Sequence, residues 1–338
     1  MNLLNEILDK SKEIDNKFIN ISSKELNSLN IVFKVPKNHP RAKIIKKYNY
    51  SSLKLEELKD NKLFLNSKET IFIVDKNLMK IDFVKEFLEN NKISLIILES
   101  LENEVKTIPF VEKIIKEKGL ENKKDSTIFV IGGGLLINVG AYLAEKTNSN
   151  LILFPTTILS MADGSGGKVR INLISQGKAH KHFYKSFYEP NAIFLDERFL
   201  DNLPEKQIKI GLVESIKHSI FQSPKLYDYL VENKVKVIKD KRLLKKVVLW
   251  ASDLKRICLE IDVEETPNGS KKILRGGHDF SDKLEEDEKL SIPHGLAVAI
   301  GIIKQLEQEK NQETLDKAKN IFRAFGIPIS LREYLAFK

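Results

Sequence analysis

Apolar residues repeat with two different periods along the chain, and the change from one to the other divides it. Between Glu69 and Thr157 the short apolar runs TIFIVD, ISLIILE, TIFVIGG and NLILFPTT read as buried strands. The stretches 83–90 and 110–118 between them carry apolar residues at helical spacing. Strand and helix in alternation predict a parallel sheet with crossover helices. After Pro204 strand signals become rare, and long helical patterns run to the end. Upstream, residues 1–30 read as an amphipathic helix with a polar tail, and 30–65 hold one strand, IVFKV, and a lysine-rich connector. The pattern predicts an α/β domain over residues 1–200, with an N-terminal extension, followed by an all-α domain over 201–338. The junction is expected within 196–204.

The α/β half carries turns suited to phosphates. TIFVIGGGLLINVGAYLA is an apolar strand, then Gly132, Gly133 and Gly134, then an apolar helix. Such a unit presents bare backbone N–H groups at a helix N-terminus, where a pyrophosphate can approach closely, and it makes the sheet Rossmann-like. The next strand ends in Pro155, Thr156 and Thr157, and a glycine-rich stretch from Asp163 to Lys168 follows. Two hydroxyls, a carboxylate and a lysine beyond a strand's carboxyl end suit a nucleotide and a phosphorylated substrate.

The helical half carries metal chemistry. Glu214 lies in GLVESIKHSIF, where Leu212, Val213, Ile216 and Ile220 recur at helical spacing, so Glu214, Lys217 and His218 project from one side. His278 lies in ILRGGHDFSDKLEE, and His294 follows Pro293 at the start of an apolar helix. One carboxylate and two imidazoles on separate helical segments can hold a zinc ion and leave a coordination position open.

The motifs VDKN, VKT, GGG, PTT, D…GGK, FYEP, FLD…LP, GLVESIKH, GGHDF and IPHGLAVAIG occur in that order. In this the chain resembles the sugar phosphate cyclases, whose type member is 3-dehydroquinate synthase, from about residue 71 to about residue 327. The resemblance implies a dehydroquinate synthase-like fold, with NAD and a zinc or cobalt ion as cofactors. The family converts an open seven-carbon sugar phosphate into a carbocycle. NAD oxidises a ring alcohol, phosphate leaves by β-elimination, the ketone is reduced again, and the enolate closes by an aldol step. Glu214, His278 and His294 match the metal ligands. Asp75 and Asn77 would contact the adenosine side of NAD with help from Lys106. Gly133, Gly134, Thr156 and Thr157 would hold the pyrophosphate and nicotinamide. Asp163, Lys168, Lys217 and Lys255 match substrate-contacting positions, with Lys178 or Lys181 at the loop lysine.

Departures from the family pattern fall mostly on the substrate side. The aspartate that closes the GGG motif is Asn138, and the arginine-glycine before the PTT strand is missing. The loop QGKAHKHFYKSFYEP is long, and its better register places Lys181 and His182 at the family's lysine-asparagine. Lys271 replaces an arginine, Arg275 an asparagine and Asp282 the second histidine of GHxxxH, while Glu197 stands where a threonine commonly contacts NAD. Lysine lacks arginine's bidentate fork, so a heptulose phosphate without a carboxylate becomes an alternative to the usual heptulosonate. His218 reads as a helix-surface or outer residue, His39 as a loop residue, and KLEEDEK as a solvated helix end.

Composition narrows the classes. At 338 residues the chain can bury two cores. The net charge of +9 comes from lysines interleaved with glutamates, without a basic stripe bearing regular aromatics, so nucleic acid is not the expected partner. A single Cys258 excludes an internal disulfide and fits a reducing cytoplasm. Acidic residues among the first seventeen argue against a signal peptide, and no apolar run reaches membrane-spanning length. The expected protein is a cytoplasmic phosphate-eliminating lyase acting on a sugar phosphate, with no nucleic acid or membrane partner, and a homodimer by family habit. A metal-dependent polyol dehydrogenase of the glycerol dehydrogenase type and a repurposed, non-catalytic homologue are the alternatives.

Overall fold

The computed structural model describes residues 2–39, 41–65, 69–91, 93–121, 126–164, 167–175, 178–201, 203–287 and 290–337. In chain order the elements begin with α1 (Leu3–Asn20), α2 (Ser23–Asn27), β1 (Asn30–Lys34), β2 (Lys47–Ser52), α3 (Lys62–Leu65) and β3 (Glu69–Asp75). Next come α4 (Asp82–Glu89), β4 (Ser94–Leu98), α5 (Glu102–Val105), α6 (Ile108–Glu117), β5 (Ser126–Gly132), α7 (Gly134–Thr147), β6 (Asn150–Pro155) and α8 (Ile158–Asp163). β7 (Lys168–Ser175), β8 (Lys178–Phe187) and β9 (Ala192–Leu195) end the strands. The helices α9 (Glu205–Phe221), α10 (Pro224–Lys239), α11 (Lys241–Ile261), α12 (Lys271–Leu274), α13 (His278–Glu286), α14 (His294–Gln308), α15 (Gln312–Ala324) and α16 (Leu331–Phe337) complete the chain.

Two compact units form, one from residues 28–160 and 164–199, the other from 1–27, 161–163 and 200–338. The α/β unit is built on a sheet ordered β1-β2-β9-β6-β5-β3-β4, parallel except where β1 meets β2. Its centre is apolar on both faces: every residue of β5 is buried, as a parallel strand covered by helices on both sides requires. From β3 the chain steps outward to β4 and then crosses back beyond β3 to β5. That reversal of strand order is the place where α/β sheets bind ligands.

The segment containing Lys181, read from the sequence as a loop, is the strand β8, antiparallel to β7. Its many charged and polar residues hid it, because a two-stranded ribbon needs no continuous apolar face. Between Ile171 and Leu173 the register shifts, and Lys181, His182 and Phe183 of β8 bulge opposite the single residue Asn172 of β7. Tyr48 and Tyr50 alternate inward on β2, another strand the apolar-run criterion did not find.

The helical unit surrounds α9, which is buried along its middle from Ile210 to Ser219 and packs on α10, α11, α14 and α15. The expected division at residue 200 needs correction, because residues 161–163 and, above all, 1–27 belong with this unit. The reason is packing: α1 lies on α11, with Ile7, Ile14 and Phe18 buried and Phe18 stacked on Trp250 at 5.7 Å. Polar anchors accompany the apolar ones. Ser223 and the indole Nε1 of Trp250 both donate to Asp15 Oδ1, at 2.5 and 2.9 Å, and Gln222 Nε2 donates to Ser11 Oγ at 2.9 Å. Among the described residues no helix is long and apolar enough to cross a membrane.

Burial pushes the Asp15 carboxyl up, against the hydrogen bonds from Ser223 and Trp250. Asp15→Ala strands both donors, and the expected loss is about 1–3 kcal/mol per orphaned group, read by denaturant unfolding. Asp15→Asn keeps an acceptor and loses less. A carboxyl raised in the folded state contributes stability that fades as pH rises through its folded value, so Asp15→Asn also flattens stability against pH on the mildly acid side.

Candidate functional site

The helical unit gathers the three candidate metal-ligating residues. Glu214, His278 and His294 each offer a ligand atom, and these atoms lie within 4.8 Å of one another. Glu214 is 1% exposed on α9, while His278 opens α13 and His294 opens α14. The approach of α13 to α14 depends on Gly277, whose φ is +77° and where a Cβ would sit 2.5 Å from the backbone nitrogen of Ile302. Only glycine fits there, and it sits immediately before the ligand His278.

The donors fit a divalent ion. Neither carboxylate oxygen of buried Glu214 accepts a hydrogen bond of good geometry; its neighbours are charges, Lys217 Nζ and, 3.6 Å from Oε1, His294 Nε2. Bonds of 2.0–2.2 Å around a tetrahedral zinc separate ligand atoms by roughly 3.3–3.6 Å, so this spacing is that of two ligands on one ion. Both imidazoles are oriented from behind. Glu285 Oε1 lies 2.8 Å from His294 Nδ1, and the Gly276 carbonyl lies 3.2 Å from His278 Nδ1. With Nδ1 donating in each ring, Nε2 is left to ligate.

Electrostatics separates the three. Burial raises the Glu214 carboxyl, but Lys217 and then His294 outweigh it, holding the group ionised. Burial, reinforced by Lys217, lowers His278 to about 3, so it is neutral. For His294 burial is overcome by the carboxylates of Glu214 and Glu285, which push it up to about 10. Of the two places the sequence allowed His218, the helix surface or behind the ligand set, burial excludes the surface. His218 is 1% exposed, with Nδ1 2.5 Å from Gln222 Oε1, and burial together with Lys217 lowers it to about 4.

Lysines complete this cluster. Lys217 Nζ donates to the Leu274 carbonyl at 2.8 Å and pairs with Glu214. Lys255 Nζ pairs with Asp163 Oδ1 at 2.9 Å and also donates to the Asp163 carbonyl. Lys255, and after it Lys217, keep Asp163 ionised despite burial and the charge of Glu214. Lys271, expected beside them, is exposed at the first turn of α12, and no ion pair ties it to the cluster among the described residues. Arg275 and Asp282, two of the family departures, meet each other at 3.0 Å, with Asp279 also 3.3 Å from the guanidinium.

The α/β unit gathers the nucleotide residues at the strand-order reversal. Val74 is paired with Ile131 and Gly132 with Pro155, so Asp75, Gly133, Gly134, Thr156 and Thr157 line one sheet edge beyond the strand ends. A Cβ at Gly134 would meet open space, leaving the N-terminus of α7 bare to an approaching anion. Asp75 accepts from the Asn77 N–H at 2.9 Å and from Ser100 Oγ. Thr157 caps α8 through Ser160. Asn138 is engaged at both ends, donating to Gly134 O at 2.8 Å and accepting from Arg170 N at 2.6 Å, so it ties α7 to β7.

Lys106, Lys181 and His182 are brought into one field. Asn172 N donates to Lys106 O at 3.0 Å, and His182 N, in a left-handed residue with φ 54°, donates to Asn172 Oδ1 at 2.9 Å. The Glu102 carboxyl, raised by burial, is lowered overall by Lys106, Lys181 and His182. Lys168 begins β7, beside Gly167 with φ +62°. Ser165 and Gly166 of that turn, and the side chain of Lys178, lie outside the described residues. Glu285 and Asn172 were not singled out from the sequence. Glu285 follows His278 by seven residues, two helical turns on one face, and that spacing was the available signal.

Removing a ligand should remove the metal. Glu214→Ala or His278→Ala is expected to weaken zinc retention, measured on purified protein, beyond the roughly 10–100-fold typical of losing an outer partner. Full retention in either variant would sink the assignment. Below about pH 10 His294 carries a proton that ligation must displace, whereas Glu214 and His278 are already in their ligating forms. One proton should therefore leave per ion bound, and affinity should rise about tenfold per pH unit from 6 to 9. Calorimetry in buffers of different ionisation enthalpy reads that proton directly.

Known proteins give the geometry its context. Residues 96–210 match the family model described as 3-dehydroquinate synthase N-terminal, and 211–337 the one described as 3-dehydroquinate synthase C-terminal. The 3-dehydroquinate synthase of Sulfurisphaera tokodaii is 33% identical over 256 residues, covering 74% of this chain and 68% of that protein. Among solved structures, the 2-epi-5-epi-valiolone synthase ValA of Streptomyces hygroscopicus with NAD+ and Zn2+ bound superposes with a TM-score of 0.69, at 18% identity and 86% coverage of each chain. A 2-deoxy-scyllo-inosose synthase complexed with carbaglucose-6-phosphate, NAD+ and Co2+ superposes at 0.70, with 22% identity, over 91% of this chain and 86% of that one. With both halves of the family model matched in order and the motif residues gathered at two sites, the chain belongs to the 3-dehydroquinate synthase family of sugar phosphate cyclases.

Proposed function

We propose that the chain catalyses the NAD- and divalent-metal-dependent cyclisation of a seven-carbon sugar phosphate to a carbocycle with loss of phosphate, a carbon–oxygen lyase reaction. The observation that carries this reading is the buried Glu214 carboxylate, without a good hydrogen bond, between two imidazoles and beside Lys217. When bound, zinc or cobalt supplies Lewis-acid polarisation of a substrate oxygen and NAD supplies reversible hydride transfer. Glu214, His278 and His294 hold the ion. Asp75 and Asn77 take the adenosine side of NAD, the bare N–H groups at Gly133 and Gly134 its pyrophosphate, and Thr156 and Thr157 the nicotinamide end, with Lys106 in support.

The lysines manage anionic charge. Lys217 and Lys255 each rest on protein acceptors, and a bound phosphate or alkoxide replaces those contacts with a stronger charge-assisted pair. Lys168 and Lys181 extend the same role. Asp163 positions Lys255 in the free protein. Among seven-carbon substrates a heptulose phosphate fits better than a heptulosonate: Arg275 is spent on Asp282 and Asp279, and Lys271 is exposed. Arg275 therefore offers no free guanidinium fork to a substrate carboxylate. The single, buried Cys258 fits a reducing cytoplasm, and the family's homodimer is carried as part of the reading.

A panel of seven-carbon sugar phosphates, assayed in parallel for released phosphate and for NADH, tests this directly. Cyclisation gives phosphate without net NADH. Accumulating NADH without phosphate would instead place the chain with the polyol dehydrogenases, and purified protein that holds neither NAD nor metal would indicate a repurposed homologue.

A further inference from the structure

His294 is the ligand that ordinary loop freedom threatens most. It is the first residue of α14, its side chain is about a third exposed at 36%, and the segment leading into it contains Ser291 in a left-handed conformation with φ 47°. Outside glycine such a conformation persists only where the surroundings enforce it. Two side chains hold His294 and the segment leading into it. Glu285, on the last turn of α13 and 17% exposed, accepts from His294 Nδ1 at 2.8 Å. Tyr334, on the C-terminal helix α16 and 3% exposed, donates its phenol to the carbonyls of Leu290 and Ser291 at 3.0 and 3.1 Å.

We propose that Glu285 and Tyr334 are positioning residues that together brace His294, Glu285 fixing the rotation and tautomer of the ring and Tyr334 fixing the backbone that delivers it. This rests on the metal-centre reading above and extends it in two ways. It makes α13 a double support, because His278 at its start is one ligand and Glu285 seven residues later orients another. It also ties metal retention to α16, a helix that carries none of the ligands. KLEEDEK, which reads as a solvated helix end, is thereby divided: Glu286 is exposed, whereas Glu285 faces the site.

The physical argument is pre-organisation. A ring free to rotate, or to carry its proton on Nε2, must be ordered at the moment of binding, and that ordering is subtracted from affinity. The phenol of Tyr334 is the sole hydroxyl of that side chain, so Tyr334→Phe removes the brace while keeping the packed ring.

The full-length protein, its fold checked by circular dichroism, is titrated with Zn2+ against a chromophoric chelator, and the Co2+ form is followed by its visible absorption. Glu285→Ala is expected to bind about 10–100-fold more weakly and to show an altered cobalt spectrum. Glu285→Gln, whose amide oxygen can still accept from Nδ1, should stay close to the wild type. Tyr334→Phe should lose about three- to tenfold. Wild-type affinity in both Glu285→Ala and Tyr334→Phe overturns the brace and leaves the metal centre standing. Glu285→Gln as weak as Glu285→Ala overturns positioning in favour of a pure charge effect. Wild-type protein that binds neither ion overturns the metal centre itself, and the brace with it.

Discussion

An ionised carboxylate held in the interior is the constraint around which the helical unit is arranged. Taking Glu214 out of water costs several kcal/mol unless other charges answer it, and α9 is buried on all sides where it sits. The answers come from separate elements: Lys217 one turn along and His294 from α14, with the neutral His278 of α13 beside them. Each supplier then needs its own support, Leu274 O for Lys217 and Glu285 for His294. The polar network therefore spreads outward from one carboxylate. A divalent ion would satisfy the centre more completely than the protein does alone, which is the physical content of a metal site built on a buried glutamate.

The α/β unit depends on a different device, the order of its strands. Because the chain reverses direction across the sheet between β4 and β5, the loops after β3 and β5 diverge and leave their backbone ends accessible. Gly133 and Gly134 exploit that opening at the head of α7, while Asp75 and the two threonines flank it. Lys106, Lys181 and His182 are assembled less regularly, through the bulge in β8 opposite Asn172. Extra residues in one strand re-aim the side chains around them, and the left-handed His182 is held by the Asn172 carboxamide.

The substituted positions read differently in three dimensions than along the chain. Arg275 and Asp282 depart from the family separately, yet they face each other as an ion pair, so one change accommodates the other and both are withdrawn from ligand binding. Asn138 likewise spends its amide on α7 and β7. What these side chains hold within the protein bears on the proposed substrate as much as the residue types that occupy the positions.

The sequence by itself determined the order of elements in the sheet core, the change to helices after Pro204, the glycine turn and the three residues that gather as a candidate metal site. These are legible because periodicity and motif order are local properties, recorded in neighbouring residues. It also led to the expectation of a solvated KLEEDEK, a loop at Lys181 and an N-terminal extension of the α/β half. Only the tertiary structure corrected those, since each depends on a partner from another element: His294 for Glu285, β7 for Lys181 and α11 for α1. A polar side chain is solvated or buried according to what packs against it, and that choice is made by the fold as a whole.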